Sequence, residues 1–128
     1  MSTLPQEKDV YFLLCEDARQ EASGKFTLTG LYPGSDVKFA TGSTDRVISS
    51  LTFFFMIFAG EGEFQFSTRV TYPSGSLLDL GTGNVTKTPD IALTGIVKIS
   101  PFHAHESGEY KVDLVLDSTI YRYKFMIH

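Results

Sequence analysis

The chain has 128 residues, of which 42% are hydrophobic and 20% charged, with 11 Phe, 6 Tyr and no Trp. That length suits one domain with its own core, residues 1–128, and the apolar content excludes a disordered chain. A net charge of −4 with interspersed signs offers no basic face for phosphates or an anionic membrane, so neither nucleic acid nor membrane is an expected partner.

Residues 1–9 read as a polar leader lacking the basic and apolar regions of a secretory signal. The apolar run 10–15 reads as a buried strand and ends in Cys15. As the single cysteine, Cys15 cannot form an internal disulfide and reads as a small buried hydrophobe. Residues 25–32 alternate Phe26 and Leu28 with Lys25, Thr27 and Thr29, giving a second strand. Between them, residues 22–24 suit a hairpin turn, and residues 16–22 alternatively suit one helical turn closed by Gly24. The segment 33–45 is long for a plain connection, so a short extra strand is expected around residues 37–39.

Residues 47–59 read as a strand and 60–62 as a turn. In residues 63–72, Phe64, Phe66, Thr68, Val70 and Tyr72 share one face and polar residues the other. A weak strand follows near residues 77–80, ended by the glycines at 81 and 83. In residues 91–99, Ile91, Leu93, Val97 and Ile99 fall in phase. Residues 110–116 and 121–127 alternate cleanly across a tight link at Asp117 and Ser118, a hairpin signal. The expected fold is all-β: a two-sheet immunoglobulin-like antiparallel sandwich of seven to eight strands. Gly108-Glu-Tyr110 sharpens this, because Gly-x-Tyr opens strand F of such domains and its tyrosine pins the neighbouring corner.

Three groups of residues are candidates for function. His103 and His105 point the same way in an extended segment, as two metal-binding imidazoles must, but no third ligand is fixed by spacing. They are weak metal candidates, and no metal or other cofactor is expected. Glu16, Asp17 and Arg19 form an acidic-basic segment read as a possible ligand loop, although neighbours in a strand face opposite sides. The third group lies in residues 51–59, whose two phases are both apolar: Leu51, Phe53, Phe55 and Ile57 against Phe54, Met56 and Phe58. Either both faces are covered, with the 33–45 segment available as cover, or Phe54, Met56 and Phe58 meet another molecule. That stretch is also about half the ~20 residues a membrane helix needs, so the expected setting is cytoplasmic.

Residues 14–21 (LCEDARQE) and 24–32 (GKFTLTGLY), with the closing Gly108-Glu-Tyr110, carry a resemblance. They resemble the opening and closing segments of a family of small uncharacterised bacterial β-sandwich proteins, a domain of unknown function. The resemblance implies a β-sandwich of bacterial or phage origin and implies no activity. It covers both ends of the chain and leaves residues 33–99 unmatched. No nucleophile elbow or phosphate loop is present.

The expected function is therefore a non-enzymatic interaction or assembly module, bound to a protein partner or to itself as a homo-oligomer. The alternative is a small-molecule or carbohydrate-binding sandwich that uses the loops at one end. A metal-dependent enzyme built on His103 and His105 stands third.

Overall fold

The computed structural model describes residues 2–39 and 46–128. Among them the chain forms eleven strands: β1 Val10–Gln20, β2 Phe26–Leu31, β3 Asp36–Val37, β4 Val47–Ile48, β5 Leu51–Ile57, β6 Gly62–Thr71, β7 Leu77–Lys87, β8 Leu93–Ile99, β9 Phe102–His103, β10 Gly108–Leu116 and β11 Thr119–Ile127. Eight are long, matching the expected seven to eight, and β3, β4 and β9 are two-residue additions. A four-stranded sheet ordered β2-β1-β5-β8 faces a five-stranded sheet ordered β3-β11-β10-β6-β7, while β4 and β9 form a separate ribbon. The β7-β6-β10-β11 order facing β1-β5-β8 is the immunoglobulin-like arrangement. Among the described strands only β3 departs from antiparallel pairing, running parallel to β11.

The core follows from alternation. Leu51, Phe53, Phe55 and Ile57 on β5 meet Val70, Val112, Leu114 and Phe125 from the opposite sheet, all buried. Each such side chain contributes roughly 1.5–3 kcal/mol by leaving water. Rings dominate: Tyr110 stacks on Phe125 at 4.9 Å, and Phe53 lies 5.8 Å from Phe125. The corner expected at Tyr110 is present, its hydroxyl donating to the Glu106 carbonyl at 2.7 Å.

Several boundaries differ from expectation. β1 continues to Gln20, so residues 16–22 form no helical turn; backbone bonds from Glu21 and Gly24 close a hairpin instead. The extra strand of the 33–45 segment is β3, at residues 36–37, and residues 40–45 lie outside the described set. The 47–59 strand is two strands, divided at Ser49 and Ser50. β7 does not stop at the glycines but passes through them. Opposite Thr68 it carries a bulge, where the register slips between Ser67 and Arg69 and Gly81 takes φ 108. Gly83 faces Phe66 directly, and a Cβ there would stand 2.8 Å from that ring, so the ring occupies the space a side chain would need. Ile91 lies outside β8 and is exposed.

Residues 2–9 are docked rather than trailing. Thr3 bridges Glu61, residues 7–9 form a 3-10 turn, and Tyr121 donates its hydroxyl to the Pro5 carbonyl. No helix among the described residues is long and apolar enough to cross a membrane.

Candidate interaction surface

The outer face of the four-stranded sheet is built by three strands in register. Leu13 on β1, Phe54 on β5 and Ile96 on β8 are direct partners in one cross-strand row, and Tyr11, Met56 and Thr94 form the next. Phe58 packs edge-on against Tyr11 at 5.0 Å. The exposures divide this face: Tyr11 57%, Phe58 46%, Leu13 41% and Ile96 38%, against 3% for Phe54.

The expectation that Phe54, Met56 and Phe58 share one open surface is therefore corrected. The β1–β2 hairpin covers Phe54: Phe26 meets its ring edge-on at 5.6 Å, and Ala18 and Leu28 complete a small outer cluster with Cys15. Met56 is half-buried beside this cluster. Phe58 stays open against Tyr11, and Leu13 and Ile96 are exposed further along the same face, in the row of Phe54. Sequence reasoning missed these three. Tyr11 and Leu13 form the alternate phase of a run read as wholly buried, and that phase was the available signal.

The opposite outer face is mainly polar, with Leu77 and Ile120 exposed on it apart from each other. Across β6, β10 and β11 the residues Arg69, Asp113 and Arg122 are direct partners in one row. Asp113, 2% exposed, accepts from Arg122 at 2.7 and 3.0 Å and from Arg69 at 3.1 Å. Those guanidiniums, Arg122 first, hold its carboxyl below the ordinary aspartate range, and the Asp113 carboxylate in turn holds Arg122 above its own. Beside this row, Lys111 and Lys124 stand directly opposite each other.

The segment read as a ligand loop is a strand, and its residues separate. Asp17 pairs with Lys98 at 3.2 Å, which lowers its pKa, and Arg19 reaches Glu21 at 3.4 Å. Glu16 lies over Gly30 and lines a hollow of about 290 Å³ with Tyr32, Lys38 and Ser49. Burial pushes the Tyr32 hydroxyl up, with the Glu16 charge adding to it. His105 stacks on Tyr72 at 5.2 Å and lies 3.4 Å from Glu106, whose carboxylate also holds Ser74. The His103 carbonyl accepts from the Tyr72 hydroxyl. No group of three metal-binding side chains occurs among the described residues.

A cavity of about 70 Å³ lies under β8, lined by Phe55, Phe66, Val85, Leu93, Leu114 and Thr68. The Thr68 hydroxyl is buried with no hydrogen-bond partner. In comparisons with known proteins, no family model and no curated protein matches the chain.

Proposed function

We propose that the protein is an interaction or assembly module that acts by protein contact rather than catalysis. The contrast between its two outer faces carries the reading. The five-stranded sheet turns mainly charged side chains to water, with Leu77 and Ile120 isolated among them, whereas the four-stranded sheet turns Tyr11, Leu13, Phe58 and Ile96 outward on one face. Grouped apolar exposure of this kind marks contact surfaces. Tyr11 and Leu13 lie on the stretch of β1 paired with β5, so Tyr11→Asp with Leu13→Asp changes the face and leaves the outermost strands β2 and β8 unaltered. The test is the native mass of the chain recovered from its own cells. A complex heavier than the 14.2 kDa monomer, lost in a still-folded double variant, supports the reading. A monomer in both cases contradicts it.

A second reading, small-molecule binding, is favoured by one observation. The buried Thr68 hydroxyl without a partner lines a mostly apolar cavity, where a ligand with one polar atom on a small apolar body fits. A thermal-shift series with small aliphatic and aromatic alcohols tests it. Stabilisation absent in Thr68→Val supports it, and no shift in the wild type removes it.

A further inference from the structure

We propose that β8 is a self-pairing edge: a second copy of the chain adds its own β8 antiparallel to this one, centred on Ile96. The proposal rests on the contact reading above and names the partner. Of the four outermost strands of the two main sheets, three are short, bulged or bent. β3 is two residues long, β7 is bulged opposite Thr68, and β2 carries Gly30 at φ 65 within its six residues. Short, bulged or bent edges resist strand addition. β8 is different: seven residues without proline or bulge, paired to β5 in unbroken register from Leu93 to Ile99. Its other side accepts no strand among the described residues.

The sequence of β8 is complementary to itself in this register. Ile96 meets Ile96 of the second copy, Thr94 meets Lys98, Leu93 meets Ile99, and Gly95 meets Val97. Apolar residues face apolar ones on the inner phase, and no like charges stand opposite each other. Lys98, the residue type that commonly guards an edge, is drawn back to Asp17 on its own sheet at 3.2 Å. Pairing makes one eight-stranded sheet across a two-fold axis, with main-chain hydrogen bonds supplying affinity. The two cross-strand rows from Leu13 through Phe54 to Ile96 then join end to end at Ile96.

The experiment uses purified full-length protein alone, by sedimentation at high micromolar concentration. The wild type sediments as a dimer. Ile96→Asp and Ile96→Lys each place like charges across the axis and sediment as monomers with unchanged circular dichroism. An equimolar mixture of the two restores the dimer. Ile96→Cys forms an intermolecular disulfide under mild oxidation, because partners opposite each other lie within disulfide reach. Thr94→Cys forms none, because its own copy is four residues out of register. A monomeric wild type, a dimer that survives Ile96→Asp, or a mixture that stays monomeric overturns the proposal. If the purified wild type is monomeric while the Tyr11/Leu13 variant still loses its cellular complex, the contact reading stands and only the second copy is rejected.

Discussion

The Tyr110 hydroxyl donates to the carbonyl of Glu106, four residues upstream, at 2.7 Å, and fixes the entry into β10. Burial pushes that hydroxyl up to about 12, so it remains a donor throughout the neutral range. Tyr110→Phe keeps the ring on Phe125 and removes only the bond. The expected loss is about 0.5–1.5 kcal/mol in a denaturant melt, with an unchanged slope.

Asp113 contributes acid sensitivity to the fold. Its carboxyl titrates below the unfolded value because Arg122, then Arg69, favour the charged form. Its contribution is therefore complete above the unfolded pKa of about 3.9 and is lost as pH falls through the folded value. Asp113→Asn should cost about 1–3 kcal/mol at neutral pH, moderated because both arginines are partly exposed. The gap between wild type and variant should close below about pH 4, as measured by chemical denaturation across pH.

Phe54 and Phe58 should separate sharply despite their shared phase. Phe54→Ala opens a cavity beneath Phe26 and should cost about 3–5 kcal/mol. Phe58→Ala removes a half-exposed ring resting on Tyr11 and should cost no more than about 1 kcal/mol. Thermal melts of the two single variants check the difference.

Cys15 should behave as a buried group. It has no exposed surface, and burial first, then the Asp17 charge, pushes its thiol up. A thiol reagent should modify it at the rate of unfolding in native buffer and promptly in denaturant.

Much of this architecture was legible because one physical signal, alternation, writes it. The β10–β11 hairpin, the inner phase of β6 and the corner at Tyr110 all follow from residues spaced by two and a turn between them. What escaped depends on partners distant in sequence. β7 looked too weak to continue past Gly81, because its support comes from β6, where Phe66 lies across Gly83. The row Arg69–Asp113–Arg122 was visible only as three separate polar phases until pairing aligned them. The 51–59 stretch left cover or contact open for its second phase, and the cover that Phe54 has comes from Phe26 and Leu28, which local pattern reading placed only in their own strand. The open surface consequently lay one strand away, at Tyr11 and Leu13.

The most direct test is a labelling footprint of the chain in its native complex against the dilute purified protein. Hydroxyl radicals report on Tyr11 and Phe58, and amine acylation reports on Lys111 and Lys124 of the polar face. Tyr11 and Phe58 should lose labelling in the complex while the two lysines keep theirs. Equal labelling of Tyr11 and Phe58 in both states, or protection confined to the lysine face, would contradict the account.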